Sequence, residues 1–501
     1  MSKRHRPSIP NLVAHWALAI LLLMAACAPV PPAENSAQKG PVTLATRLTA
    51  AGIAGADVGY LVSDLDSGEV IAAAAPDDLF IPASTVKVVT ALAALEVLGP
   101  GHRFQTTVFA DGHMAADGVL DGNLWLRGGG DPLLSVQDLL ALAQQLRDGG
   151  LKKVRGRFLY DESALVPSVN VDAAQPVWAS YNVPLSALSL DFNRVDLHWR
   201  AKPPSGVELS LTPSLGSAPP LASRRPLDGG VPFVADDDAT AWRADLTQLT
   251  GEIGREAVAV RNPAKRTAAV FRALANGLGI ALPEPLAGET SPGARPVAAL
   301  LSAPLIDTLR PAFRYSNNLV SELIGRAASR RLSGNSLDTA GSAEAVAKWL
   351  IGRVGSVDWT NARLLNHSGL SAESRISPRQ MNAVMAAALK ARYGGWGVAA
   401  LLPAGGWDRA LAGMFAEPRF NGRVWAKSGT MHYTKGMTGL LFTVDGRRLA
   451  FALYITDFAR RQAYDLDPER HRPAGQAAAR VWITRAEGVM EDLIGAWIAA
   501  E

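Results

Sequence analysis

Ile81-Pro82-Ala83-Ser84-Thr85-Val86-Lys87-Val88-Val89-Thr90 is the stretch from which the fold is read outward. Ser84 and Lys87 are three residues apart, so on a helix they share one face, a turn from each other. Pro82 suits a helix start. Val86, Val88, Val89, Ala91 and Leu92 offer apolar faces on which that helix can be buried. The pair reads as a hydroxyl nucleophile with an amine close enough to take its proton. The same spacing also fits a solvent-facing turn of an ordinary amphipathic helix, so its meaning rests on two later stretches.

The first of these is Arg314-Tyr315-Ser316-Asn317-Asn318, which opens a helix where Ser and Asn also serve as caps. The second is Val424-Trp425-Ala426-Lys427-Ser428-Gly429-Thr430, a strand carrying a lysine and two hydroxyls. Its glycine removes a side chain where something must come close to the backbone; alone, it reads as a strand ending at an exposed turn. In this order the three stretches resemble the active-site set of the penicillin-recognising serine enzymes, S-x-x-K, S-x-N and K-[ST]-G.

Finer features resemble the D-alanyl-D-alanine carboxypeptidase/endopeptidases of peptidase family S13, the low-molecular-mass class C penicillin-binding proteins. That family has a large insertion between its first two motifs, and here Ser84 and Ser316 are 232 residues apart. Gly128-Gly129-Gly130-Asp131-Pro132, Asp161-Glu162-Ser163, Glu322 after Asn318, and Ser368-Gly369-Leu370-Ser371 look like its further signatures. The resemblance covers nearly everything from about residue 43 to residue 458.

The resemblance implies an α/β (α+β) transpeptidase-like domain of the penicillin-binding and serine β-lactamase kind, an antiparallel sheet flanked by helices with a large β-rich inserted region. It implies that Ser84 attacks the carbonyl of the penultimate D-Ala of a peptidoglycan stem peptide or a D-Ala–diaminopimelate cross-link. A neutral Lys87 would be the base, Ser316 would protonate the leaving nitrogen, and Asn318 would orient Lys87 and the substrate amide. Lys427, with Ser428, Gly429 and Thr430, would hold the terminal carboxylate, and the N–H groups of Ser84 and Thr430 would form the oxyanion hole. β-Lactam antibiotics would acylate Ser84 as slow substrates. Asp161 resembles an aspartate that helps hold the diamino-acid side chain of the peptide.

Some positions depart from the pattern. Lys-Ser-Gly stands where Lys-Thr-Gly is usual, Asn366-His367 where Asp-Gly is commoner, and Ala372 where a basic residue is often found. Recognition of the stem peptide is therefore expected to differ more than attack on the terminal D-Ala. A second frame, Tyr315-Ser316-Asn317, matches the Y-x-N of class C β-lactamases and related esterases, with Tyr315 as relay. Chain length, the β-rich block and the Gly-Gly-Gly-Asp-Pro signature argue against it. A catalytically silent peptidoglycan-binding module would not need both lysines and both motif hydroxyls.

The order of elements predicts one domain made from both ends of the chain. A helix is expected at 43–54, a hairpin over 58–65 and 70–74, and the Ser84 helix to about 98. Residues 101–262 read as the β-rich insert, with strands at 104–109, 124–126, 158–160, 188–199 and 207–211 and a helical piece near 136–148. Helices then return at 266–277, 305–313, 318–330, 343–352, 378–392 and 406–414. Strands at 424–428, 438–444 and 449–455 and an amphipathic helix at 477–499 close the chain. The catalytic domain is thus expected as 43–100 plus 263–501; closure entropy grows slowly with loop length, so such an insertion costs little if it folds by itself.

Composition agrees with a folding chain, 48% apolar and 19% charged over 501 residues. The formal net charge is +4, and Lys3, Arg4 and Arg6 supply three of those charges, so nothing points to a nucleic-acid partner. Residues 1–26 read as a signal peptide: a basic start, then an apolar run over 12–26 interrupted only by His15. Met24-Ala25-Ala26-Cys27 resembles a lipobox, which would make Cys27 a lipidated N-terminus on a Pro-rich tether, 27–42, facing the periplasm. Ala28, in place of an aspartate, favours the outer membrane over the inner; ordinary cleavage nearby would instead release a soluble periplasmic protein. Cys27 is the only cysteine, so there is no disulfide within the chain and no cysteine nucleophile. No His/Asp/Glu cluster has metal-binding spacing, and neither a metal nor another cofactor is expected.

Overall fold

The structure, a computed structural model, describes residues 43–500 apart from 203–205, 213–219, 224, 226, 228–232, 236–241, 250, 409, 412, 468–469 and 471–472. The leader, Cys27 and the Pro-rich segment thus lie outside the described residues.

The two ends of the chain meet in one five-stranded antiparallel sheet. Its order is Val424–Met431, Thr434–Phe442, Arg448–Thr456, Asp57–Asp64, Val70–Ala74. The central strand Arg448–Thr456 is buried at every residue after the first, because both faces are covered. Side chains alternate across a strand, so Ala450, Ala452 and Tyr454 pack into one core and Leu449, Phe451, Leu453 and Ile455 into the other.

The first core is closed by the helices Lys87–Val97, Leu305–Arg314, Asn318–Ser333, Thr339–Arg353 and Pro378–Lys390. The second is closed by Leu44–Ala50 and the long helix Pro473–Ala499, which lays Trp482, Ala486, Val489, Met490, Leu493 and Trp497 against the sheet.

A second five-stranded sheet has the order Pro285–Ala287, Phe158–Asp161, Leu124–Arg127, Gln105–Ala110, Arg295–Leu301. The helices Val136–Asp148 and Pro263–Gly277 bury their apolar stripes against it. Here the structure differs from the boundary expected at residue 262. Pro263–Gly277 and the two strands up to Leu301 belong with the 105–161 sheet, through register pairs such as Ala299↔Thr107 and Leu286↔Leu159. Such pairing joins segments nearly two hundred residues apart and leaves no local mark at 262. A smaller β unit contains Arg194–Lys202 between Gly206–Thr212 and Ile253–Ala259, with its own core around Val195, Leu197 and Trp242.

Two further expectations are corrected. The strand expected over 188–199 starts only at Arg194, because Asp191, Phe192 and Asn193 take positive φ values of 47°, 60° and 54°. Asn193 holds that bend by donating to Pro184 O and Ser189 Oγ, at 2.8 and 2.9 Å. The described residues of 406–414 form turns rather than a helix; Gly405 and Gly406 instead place their N–H groups on Val424 O and Met414 O. Among the described residues, no helix is long and apolar enough to cross a membrane.

Candidate active site

Ala83–Val86 is a single 3-10 turn that runs into the helix Lys87–Val97. The sequence reading put Ser84 on a regular α-helix. In the tighter turn residues three apart eclipse one another, which brings Lys87 under Ser84 more directly. Thr85 Oγ1 locks the turn by donating to Pro82 O at 2.8 Å, and it lies 3.0 Å from the Tyr454 hydroxyl. Two glycines let backbone approach the nucleophile. A Cβ on Gly369, at φ +77°, would fall 1.8 Å from Ala83 O, and one on Gly429 would fall 3.0 Å from Ser84 N. At Gly369 no other residue fits without moving the turn.

Lys87 is 1% exposed. Its Nζ donates to Ser84 Oγ at 2.8 Å, to Asn318 Oδ1 at 2.8 Å and to the Ser368 carbonyl at 2.7 Å. Three acceptors match the three protons of an ammonium. In the neutral amine, the lone pair faces the Ser84 hydroxyl while two N–H bonds stay on Asn318 and Ser368. Burial pushes the pKa of Lys87 well below the lysine range, the positive Lys427 adds to that, and buried Glu322 opposes it. Each direction follows from the charge concerned.

Ser316 lies between the helices Leu305–Arg314 and Asn318–Ser333 at φ +53°. Its Oγ accepts from Lys427 Nζ at 2.9 Å, and Lys427 also donates to Ser428 O at 2.6 Å. Burial first and Lys435 second bring the pKa of Lys427 down to about 7. Lys435 in turn donates to Thr430 Oγ1 at 2.9 Å and pairs with Glu487.

Ser84, Ser316, Asn318 and Thr430 line one cleft of about 330 Å³. Tyr315 is outside it, 63% exposed with the Arg314 guanidinium 6.0 Å from its ring centre. Asn317 is spent as a helix cap, its Oδ1 accepting from Val320 N at 3.1 Å. The geometry thus gathers the Ser316/Asn318 frame and leaves the Tyr315/Asn317 frame apart.

Asp161 does not line this cleft. Its Oδ2 accepts from Thr290 N and Oγ1 at 2.8 and 2.6 Å, its Oδ1 from Ser163 N at 2.9 Å, and Arg127 Nε lies 3.6 Å away. Burial would raise its pKa, but the hydrogen bonds from Ser163 and Thr290 outweigh that and hold it below the usual carboxylate value. The carboxylate braces the end of its own strand, apart from the residues that line the Ser84 cleft.

Sequence reasoning missed much of the cleft wall. Tyr181 and Gln175 reach it from the block between the motifs, and Asn318 Nδ2 donates to Tyr181 O at 2.9 Å. Arg461, Gln476 and Arg480 reach it from the C-terminal helices, and His432 follows the third motif. No motif in the sequence marks these residues, and all but His432 are brought in by packing from other elements. Among the described residues, no group of three or more His, Cys, Asp or Glu side chains could hold a metal ion.

Comparison with known proteins gives a consistent answer. The family model described as the D-Ala-D-Ala carboxypeptidase 3 (S13) family matches residues 42–470. The D-alanyl-D-alanine carboxypeptidase DacB of Haemophilus influenzae is 25% identical over 439 residues, covering 81% of this chain and 86% of the relative. A D-alanyl-D-alanine carboxypeptidase of Actinomadura sp. is 27% identical over 429 residues, covering 80% and 77%. In fold, the crystal structure of penicillin binding protein 4 (dacB) from Haemophilus influenzae is similar with a TM-score of 0.73 at 23% identity, covering 83% of this chain and 94% of that one.

Proposed function

Since the chain belongs to the D-Ala-D-Ala carboxypeptidase 3 (S13) family of serine-type enzymes that act on peptidoglycan, we propose that it cleaves after the penultimate D-Ala of stem peptides and of D-Ala–meso-diaminopimelate cross-links, through an acyl-enzyme on Ser84. The observation that carries this reading is the position of Lys87 Nζ, within 2.8 Å of both Ser84 Oγ and Asn318 Oδ1 inside a buried site.

Lys87, its hold on a proton weakened by burial and by Lys427, takes the Ser84 proton as Oγ attacks the D-Ala carbonyl carbon. Negative charge develops on the carbonyl oxygen, where the N–H groups of Ser84 and Thr430 would meet it. Collapse breaks the C–N bond, and Ser316, bridged to Lys427 at 2.9 Å, delivers its hydroxyl proton to the leaving nitrogen and is reprotonated by the proton that Lys87 took from Ser84. Lys427, Ser428 and Thr430 hold the departing residue's carboxylate along the strand edge left clear by Gly429. Water then takes the place of the leaving amine and frees Ser84. A β-lactam enters by the same attack, but its leaving nitrogen stays tethered and deacylation is slow.

The same reading extends to organisation and address. The catalytic domain is formed by both ends of the chain, with the block between the first two motifs inserted. Residues 1–26 act as a signal peptide, and Cys27 carries a lipid that holds the enzyme at a periplasmic membrane face, the outer membrane by the absence of an aspartate at Ala28.

The test is covalent labelling. A fluorescent penicillin labels the wild type, Ser84→Ala abolishes labelling without loss of fold, and mass spectrometry places the adduct on the peptide containing Ser84. An adduct elsewhere, or none, refutes the serine-acyl mechanism.

A further inference from the structure

A second cleft, of about 500 Å³, opens where the 105–161 sheet meets the helical layer. Four arginines line it from three parts of the fold: Arg103 before the strand Gln105–Ala110, Arg127 at the end of Leu124–Arg127, and Arg330 and Arg331 on the helix Asn318–Ser333. Among the described residues that line the cleft there is no carboxylate. Asp161, 3.6 Å from Arg127 Nε, is itself engaged by Ser163 and Thr290.

The guanidiniums are fixed but not used up. Arg103 Nη1 donates to Ser302 O at 2.6 Å and Arg330 Nη1 to Ala164 O at 3.0 Å. Each therefore keeps most of its five donors for something else. Arg331 is exposed and makes no hydrogen bond or ion pair among the described residues. Basic residues in a last helical turn offset the helix dipole, which accounts for Arg330 and Arg331 as a pair. It does not account for Arg103 and Arg127, which come from other elements and face the same concave, partly apolar space beside Phe104 and Leu165.

A concavity of this size suits a short peptide or a sugar-peptide fragment. Its chemistry suits carboxylates, which planar guanidiniums bind by paired hydrogen bonds. Arg330 follows Asn318 by twelve residues on one helix, so the two clefts lie about 18 Å apart along it. The segment after Asp161 also contributes to both, through Leu165 in one and Gln175 and Tyr181 in the other.

We propose that the arginine cleft binds the free carboxylates of a second stem peptide of the peptidoglycan polymer, anchoring the polymer while another stem enters the Ser84 cleft. This rests on the reading of peptidoglycan as substrate, and it adds a binding site that the reaction at Ser84 does not require.

The experiment uses Arg331→Glu, Arg331→Ala and Arg331→Lys in the full chain, because Arg331 is exposed and makes no hydrogen bond or ion pair among the described residues whose loss would disturb folding. Binding to purified sacculi is measured on each variant in a Ser84→Ala background, so that turnover does not enter, and against added salt. Arg331→Ala is expected to weaken sacculus binding on the order of tenfold, Arg331→Glu more, and Arg331→Lys least. Salt is expected to weaken the parent protein most steeply, as solvent-exposed charges are screened. With Ser84 intact, all three variants are expected to keep wild-type penicillin acylation and wild-type release of D-Ala from a short soluble peptide. Unchanged sacculus binding in Arg331→Glu overturns the proposal. So does a loss of binding that appears only on phosphatidylglycerol vesicles, which would assign the cleft to phosphate headgroups. Failure of the parent enzyme to be acylated at Ser84 would instead strike at the reading of the catalytic site.

Discussion

Exchanging the two neighbouring relay candidates, Tyr315 and Ser316, is the perturbation whose outcome the geometry fixes most closely. Ser316 Oγ accepts from Lys427 Nζ at 2.9 Å and lines the Ser84 cleft, whereas Tyr315 is 63% exposed and lies outside it. Proton delivery to a leaving group by a positioned side chain contributes roughly 10²–10⁴-fold in rate, about 3–5 kcal/mol of barrier. Ser316→Ala removes the only hydroxyl of this pair that touches the lysine, and is expected to lose D-Ala release by about that factor. The loss should fall on kcat more than on KM, because Lys427 stays in place to hold the substrate carboxylate. Folding should be little affected, since Ser and Ala meet the positive φ of this position with the same Cβ. Tyr315→Phe removes a solvent-facing hydroxyl and is expected to match the wild type. The assay is D-Ala release from a soluble peptide ending in D-Ala-D-Ala, run beside stopped-flow acylation by a fluorescent penicillin and a thermal melt. A crippled Tyr315→Phe beside a healthy Ser316→Ala would refute the reasoning and move the chain toward the Y-x-N hydrolases.

Gly369→Ala puts a Cβ 1.8 Å from Ala83 O at a φ of +77°, so the nucleophile turn has to shift; acylation should drop at least tenfold and the melting temperature should fall, while a variant with wild-type acylation would show that the turn is not fixed from this side. In pH profiles, Lys87 must be unprotonated to act as base, so acylation fails as pH falls through its depressed pKa, well below the lysine range. Lys427 must be protonated to hold a carboxylate, so kcat/KM for D-Ala-D-Ala peptides should decline as pH rises past about 7. A substrate without the terminal carboxylate should lose that alkaline decline, and a profile flat to pH 10 for the peptide would contradict the assignment. For the address, intact mass of the mature protein should show an N-terminal lipid that Cys27→Ser abolishes; an unlipidated N-terminus in the wild type would remove the anchor.

What could be read in the sequence is what short-range geometry encodes. Ser84 and Lys87 are three apart and Lys427 to Thr430 are contiguous, so each motif carries its own local shape, and the order of the motifs supplied the family. The strand Arg448–Thr456 was legible because its apolar run is continuous. The cleft walls were not, because Tyr181 arrives by packing from 94 residues beyond Lys87, and Arg461 and Arg480 come from helices whose polar residues carry no motif. The edge of the inserted block was missed for a related reason: Arg295–Leu301 is half exposed and reads weakly as a strand until Gln105–Ala110 is beside it. Asp161 shows a partner that the sequence does not reveal: its Oδ2 accepts from the hydroxyl and N–H of Thr290, 129 residues later.

Burying a lysine as a base is costly, and the helix Asn318–Ser333 shows how this fold meets the cost. Asn318, Glu322 and Arg326 recur at four-residue intervals and so lie on one stripe of that helix. Asn318 accepts from Lys87 directly. Glu322, fully buried, accepts from Ser368 N at 2.8 Å and His367 N at 3.3 Å, which sets the Ser368 carbonyl against Lys87 Nζ. Burial raises the pKa of Glu322, and the hydrogen bond of Ser368 and the charge of Arg326 draw it back. His367 stays neutral beside them, its pKa brought down to about 3 by burial and by Arg326, with a ring nitrogen 2.7 Å from Ser342 Oγ. Unpaired buried charge would cost several kcal/mol. Here each charged group faces a partner or a fixed dipole, and the hold on the Lys87 proton is loosened by burial and by Lys427. The stripe therefore does chemical work as well as structural work: one face of one helix orients the base and supports its carbonyl acceptor, while its Glu322 opposes the loosening of the Lys87 proton by burial and by Lys427.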